Sequence, residues 1–162
     1  MNDLIKLLDK NLEYVHHNIE KDTIYINVKS IKKEIKCPYC NNYSTKVHSK
    51  YKKNFQDLPI QGMKVIIIID NRKIFCKNDA CNHTTFSEKF KFIHDKAKKT
   101  KRLEEKIIRL SLNMSSFSAS NYLKKNLVDI GKSTICTLLK KEIIITNKSN
   151  ITKVCIDDTT LQ

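Results

Sequence analysis

Residues 23 to 28 alternate between Thr23, Tyr25 and Asn27 and apolar Ile24, Ile26 and Val28, the period of two that lays one face of a strand on a core. Ahead of them Leu4, Leu7, Leu8, Leu12 and Val15 recur at helical spacing, which predicts a helix before that strand. Two further strand-like stretches, Thr45 to Lys53 and Met63 to Phe75, are parted by the punctuation of Leu58, Pro59 and Gly62. Beyond residue 96 the period changes. Leu103, Ile107 and Leu110 fall at i, i+4 and i+7, Ile108 and Leu112 widen the stripe, and two shorter helical stretches follow. The pattern predicts an α+β chain in which a small β module precedes a helical module. Its segments are an N-terminal helix and strand (1–36), the β module (37–95), the helical module (96–148) and a short tail (149–162).

Charge adds a partner to this picture. The chain carries 31 Lys+Arg against 17 Asp+Glu, a formal net charge of +14. Only Arg72, Arg102 and Arg109 are arginines, so 28 of the positives are lysines. The four segments carry +1, +5, +9 and −1, so the excess is concentrated in the helical module rather than spread as a solubilising coat. A polyanion is the expected partner, and the helix pair at 116–141 narrows it to double-stranded DNA. The hydrophobic share of 40% is enough for folded modules, and two glycines and two prolines exclude collagen-like or linker sequence. The longest aliphatic run, Val65 to Ile69, is far short of the roughly 20 residues that span a bilayer. Asp3, Lys6 and Asp9 interrupt any apolar secretory signal. The expectation is an intracellular, cytoplasmic protein with no membrane and no small-molecule substrate. Gly131-Lys132-Ser133 is no phosphate-binding loop, because the glycine such a loop needs five residues earlier is Asn126.

Six cysteines in a reducing compartment are better read as metal ligands than as a disulfide framework. Cys37-Pro38-Tyr39-Cys40 is one close pair, and Cys76 and Cys81 form a second with four residues between them. Two such knuckles supply four thiolates to one tetrahedral Zn2+ at about 2.3 Å, a closed shell with no position for a substrate water and hence a structural role. Lys36, Lys46 and Lys77 lie close enough in sequence to offset the site's negative charge. His83 or His48 remains an alternative fourth ligand. Cys136 and Cys155 stand apart, and His16, His17 and His94 have no ligand spacing.

Ser116 to Lys125, Asn126 to Gly131 and Lys132 to Lys141 read as helix, turn and helix. Ala119, Tyr122 and Leu123 form one inward face, Ile135, Leu138 and Leu139 the other, and Leu127 and Ile130 anchor the turn. In a helix-turn-helix the start of the second helix meets base edges. That assigns Lys132, Ser133 and Thr134 as readers, with Thr137 and Lys141 further along. Lys124 and Lys125, with Lys99, Lys101 and Arg102 from the basic run before the first helix, are placed to neutralise phosphates.

The stretch from CPYC through Asp57-Leu58-Pro59 and the second cysteine pair to Thr85-Phe86-Ser87-Glu88 resembles the zinc-finger region of ISL-three family transposases of bacterial insertion sequences. A helix-turn-helix follows where that family has one. Val154-Cys155-Ile156-Asp157-Asp158 resembles the strand that opens the family's RNase-H-like DDE domain. The resemblance implies that Asp157 matches the first catalytic carboxylate. Strand transfer needs three carboxylates holding two metals, and no Asp or Glu follows Asp158. The expected function is the DNA-binding N-terminal region of a truncated transposase, recognising insertion-sequence ends without a complete catalytic site. The rival reading is a free-standing zinc-ribbon and helix-turn-helix transcriptional regulator, for which a homodimer on a palindromic target is the expected form.

Overall fold

The computed structural model describes residues 1–142, so the predicted tail with Cys155, Asp157 and Asp158 lies outside the described residues. A short helix, α1 (Asn2–Lys6), leads into a hairpin of β1 (Leu12–Glu20) and β2 (Thr23–Ser30). A two-stranded ribbon of β3 (Ile35–Lys36) and β4 (Tyr43–Ser44) follows, then a long hairpin of β5 (Val47–Ile60) and β6 (Met63–Phe75), then β7 (Thr85–Ser87). The large sheet has the order β1-β2-β6-β5, with β2 and β6 parallel, and β7 pairs with the end of β6 at residues 73–75.

Alternation fixes which face is buried. Ile24, Ile26 and Val28 register against Val65, Ile67 and Ile69. With Phe55, Leu12, Ile5, Phe90 and Phe92 they form the core of the sheet. The long hairpin closes on Gln61 and Gly62, at φ 51° and 78°, the two positive values of a type I′ turn, whose twist suits a two-residue hairpin. Glycine removes the steric cost at the second of these positions.

Two expectations need correction here. The predicted helix ends at Lys6, and Leu12 and Val15 lie in β1. A bulge between Tyr14 and His16 leaves Val15 without a register partner and exposed, so the three-residue spacing of Leu12 and Val15 imitates a helical stripe without marking one buried face. The strand expected to stop at Lys53 runs on to Ile60, because an irregularity between Asp57 and Ile60 takes up Leu58 and Pro59 without a ladder bond. Since β1 and β2 share a sheet with β5 and β6, that sheet also crosses the boundary drawn at residue 36.

Three helices follow: α2 (Lys101–Ser111), α3 (Ser116–Asn126) and α4 (Lys132–Glu142). The last two end one residue beyond the helices read from the sequence. The Thr100 side chain accepts from the Leu103 N–H to start α2, and Ser115 does the same for Ser118 to start α3. Leu103, Ile107, Ala119, Leu123, Val128, Ile130, Ile135 and Leu138 make a second core, against which Leu58 of β5 packs. Tyr122 does not join it; its ring is 46% exposed, and Ser120 turns inward instead, its hydroxyl donating to the Ile130 carbonyl at 2.7 Å. No described helix is long and apolar enough to cross a membrane.

Candidate metal centre and nucleic-acid interface

The ribbon β3–β4 is a knuckle. Cys37 N–H donates to the Asn42 carbonyl and Asn41 N–H to the Cys37 carbonyl, at 2.8 and 3.0 Å, with Asn41 in the left-handed region at φ 64°. The second knuckle joins β6 to β7. There Cys76 N–H donates to Thr84 O at 2.8 Å, Cys81 N–H to Asn78 O at 3.0 Å, and Ala80 N–H to the Asn78 side chain at 3.1 Å. These turns bring the sulfurs of Cys37, Cys40, Cys76 and Cys81 within 4.8 Å of one another. Cys40 Sγ and Cys76 Sγ are 3.5 Å apart, close to the roughly 3.8 Å edge of a tetrahedron with 2.3 Å zinc–sulfur bonds. The site therefore fits structural zinc. Bound zinc would hold the thiolates together and act as the core of the knuckles, where Ile35, Ile74 and Phe86 pack around Cys37.

The thiols are electrostatically unequal without a metal. The Asn42 backbone amide holds Cys40 down to about 6. Cys76 accepts from the Asn78 backbone, which lowers it, but burial and the sulfurs of Cys40, Cys37 and Cys81 push it up to about 12. Four sulfurs this close cannot all ionise unless a cation joins them. Neither histidine alternative enters the cluster. His83 stacks on Tyr39 with ring centroids 3.5 Å apart, and His48 lies against Phe75 at 4.8 Å with its Nδ1 on Ser49 Oγ. Cys81 is the fourth ligand.

Residues 33–81 match the zinc-finger of transposase IS204/IS1001/IS1096/IS1165. No curated protein and no solved structure matches the chain. The match supports a DNA-binding region of a transposase, and it includes the long hairpin as well as both knuckles. At about 3.3 Å per residue, the nine steps from Val65 to Ile74 along β6 carry the hairpin about 30 Å away from the knuckles. Its far end meets the helices.

That junction is a polar clamp. Gln56 N–H donates to Lys98 O and Gln56 O accepts from Thr100 N–H, at 2.9 and 3.0 Å. Beside it Asp57, 2% exposed, accepts from Thr100 Oγ1 at 2.7 Å and from Arg102 Nε at 2.8 Å, and a second guanidinium nitrogen takes its other oxygen. Arg102, assigned from the sequence to phosphate, is thus engaged in a two-pronged ion pair that positions α2. A second buried network was also invisible to pattern reading. Arg72 Nε donates to Glu88 at 2.9 Å, Ser30 Oγ donates to the same carboxylate at 2.5 Å, and Arg72 reaches Lys32 O at 3.0 Å. It ties β2, β6 and the chain after β7 together beside the finger.

The remaining sequence-assigned residues fall in two groups. Lys132, Ser133, Thr134, Thr137 and Lys141 are exposed on α4, and Lys124 and Lys125 are exposed at the end of α3. Thr137 Oγ1 donates to Ser133 O at 2.9 Å, so its hydroxyl can offer a ligand only acceptance. Lys99 and Lys101 are half-buried at the clamp. Lys101 and Lys141 line one cavity between α2 and α4.

Proposed function

We propose that this chain is the DNA-binding region of a transposase, in which α3, the following turn and α4 act as a helix-turn-helix that reads insertion-sequence ends. The observation that carries the reading is the coincidence of the transposase zinc-finger match with four cysteines arranged for structural zinc. The exposed first turn of α4, with Lys132, Ser133 and Thr134, supports the assignment of α4 to the major groove. Lys124, Lys125, Lys99 and Lys101 supply phosphate contacts, which position the protein without reading sequence. In this reading the chain binds DNA and does not cut it.

Selection from a randomised duplex library, followed by titration across salt concentrations, tests the proposal. A reproducible motif is expected, with log K falling against log salt at a slope of roughly −5 for about six neutralised phosphates. Duplex binding without a selected motif, or none at all, would overturn it.

A further inference from the structure

Successive even-spaced residues of β5 point to one side of the sheet, so Tyr51, Lys53 and Phe55 stand in a row on the face that the 88–98 segment covers. Between them and that segment lies a cleft of about 290 Å³. Phe55, Phe90 and Ile93 give it an apolar lining, and Lys53, Lys89, Lys96 and Lys98 add four cations. Two carboxylates oppose them, but Glu88 is held by Arg72 and Asp95 by Lys89 at 2.6 Å. Lys53, Lys96 and Lys98 pair with no carboxylate among the described residues. Tyr51 stands next in the row. Its hydroxyl is fixed by Asn71 at 2.8 Å and by Ser87 at 3.1 Å, its ring is 38% exposed, and the Lys53 ammonium sits 5.5 Å from the ring centroid.

The cleft does not stand alone. Lys89 also lines a second recess of about 270 Å³, with Ser87, Lys32, Lys36, the exposed Tyr43 and one carboxylate, Glu34, beside the zinc knuckle. At its other end His94 is shared with the cavity between α2 and α4. Cations and aromatic rings therefore follow one another from Tyr43 beside the knuckle to Lys96 and Lys98, and the path ends at His94, because Glu104 and Glu105 line the cavity beyond it. A stacked duplex offers such a surface its phosphates and keeps its bases inside, so it has nothing to place on an apolar lining. An unpaired strand offers both. Grooves that hold single strands combine lysines along the backbone with aromatic rings under the bases, and a recess of this volume is at the low end of small-ligand sites, on the scale of one nucleotide.

We propose that this path binds a single-stranded DNA segment, with Lys53, Lys96 and Lys98 on its phosphates and Tyr51 and the Phe90 side of the cleft against an unpaired base. The inference rests on the reading of the chain as a DNA-binding protein, and adds that it holds duplex and unpaired DNA on different surfaces.

Fluorescence anisotropy of the full chain with an oligothymidylate of about twelve nucleotides, within the usual site sizes, tests it beside the selected duplex. Lys53→Ala with Lys96→Ala is expected to weaken single-strand binding about five-fold or more and to make the salt slope shallower by about 1.4, with duplex affinity within about two-fold. Lys132→Ala with Thr134→Ala should do the reverse. Zinc content and far-ultraviolet circular dichroism identify any variant that has failed to fold. Irradiation of a strand carrying 5-iododeoxyuridine should attach it to Tyr51 or Phe90, a readout that needs no variant. The proposal is overturned if the wild type binds duplex but not the single strand, or if both lose affinity equally in the lysine variant. Cross-links confined to α3 and α4, or tighter binding of oligouridylate than of oligothymidylate, would also overturn it. Single-strand binding without any duplex binding would instead sink the helix-turn-helix proposal and leave this one standing.

Discussion

Replacing Arg102 by Ala separates the two roles that sequence and structure give it. As a phosphate contact it would be dispensable for folding, and its loss would make the salt slope shallower by about one unit. As the partner of Asp57 it holds a carboxylate whose side chain is only 3% exposed, while its own is 44% exposed. Breaking a fully buried pair costs about 3–5 kcal/mol, chiefly by stranding the remaining charge. Here Thr100 still donates to Asp57 at 2.7 Å, and the outer half of the guanidinium was never desolvated, so about 2–3 kcal/mol is expected. With a urea m-value of about 1–3 kcal/mol/M this moves the midpoint by about 1 M or more. Urea unfolding followed by helical circular dichroism measures the shift. Arg102→Lys should fall between, since an ammonium keeps the charge but not the two-pronged fork. Adding Asp57→Ala to Arg102→Ala should recover about 1 kcal/mol, because the stranded carboxylate is then gone. A wild-type midpoint in Arg102→Ala, together with a shallower salt slope, would refute the clamp and restore Arg102 to the DNA surface.

Purified protein should contain one zinc per chain, and Cys40→Ser should lose it; hydrogen exchange should then quicken at Cys37 and Cys76 while Ile67 and Ile69 stay protected, because the knuckles and the sheet have separate cores. Since every ligand must shed its proton to bind, zinc affinity should fall as pH is lowered, and retention of metal at pH 4 as tight as at pH 7 would contradict a thiolate site. Arg72→Lys should lower stability by about 2–4 kcal/mol in the same urea assay, because Glu88 is buried and an ammonium cannot meet the carboxylate, Ser30 and Lys32 O together. Lys124→Ala with Lys125→Ala should weaken all duplexes alike and make the salt slope shallower by about two units, whereas Lys132→Ala with Thr134→Ala should change the selected motif.

The elements that the sequence announced are those with an unbroken period. β2, β6, α2, α3 and α4 fall where alternation or helical spacing places them, and the cysteine spacing identified the metal ligands because a tetrahedral ion constrains sequence as strictly as a core does. The failures share a cause in the bulged strands. In β1 the extra residue at Val15 breaks the period of two, and in β5 the irregularity after Asp57 lets a strand continue through Pro59. A local pattern carries no sign of the partner strand that makes such a bulge worthwhile. Helical spacing sets Tyr122 on the inward face, but Ser120, two residues earlier, satisfies its hydroxyl on the turn and Tyr122 stays exposed. Asp57 and Glu88 were passed over because a buried carboxylate is recognised by its cation, and both cations are remote in sequence.

One signal could have found those cations. A chain that uses lysine for 28 of its 31 positives and still keeps three arginines is using them where an ammonium does not serve. Two of the three, Arg72 and Arg102, are the ones that hold buried carboxylates, one beside the zinc finger and the other where the long hairpin meets α2. The planar guanidinium takes both oxygens of Asp57, and at Glu88 it takes one oxygen while reaching Ser30 and the Lys32 carbonyl. It is more easily dehydrated than a lysine head group, so it suits a fixed joint. The lysines, long and strongly hydrated, remain outside where a polyanion displaces their counterions. The four-cysteine cluster stands at one end and the helices are pinned by Asp57 at the other, with the paired strands β5 and β6 between. A bending of one module against the other would have to break the Gln56 backbone bonds and strand Asp57 at the same time. Under the proposed helix-turn-helix reading, duplex bound at α4 would therefore be held at a set distance from any DNA that the finger grips. Changing the length of β5 and β6 by two paired residues each would keep the faces in register and lengthen that spacing by about 7 Å. In a protein that grips one DNA with both ends, the preferred separation of the two contacted segments in a footprint should lengthen with it, while an unchanged footprint would mean that the finger and α4 bind independently.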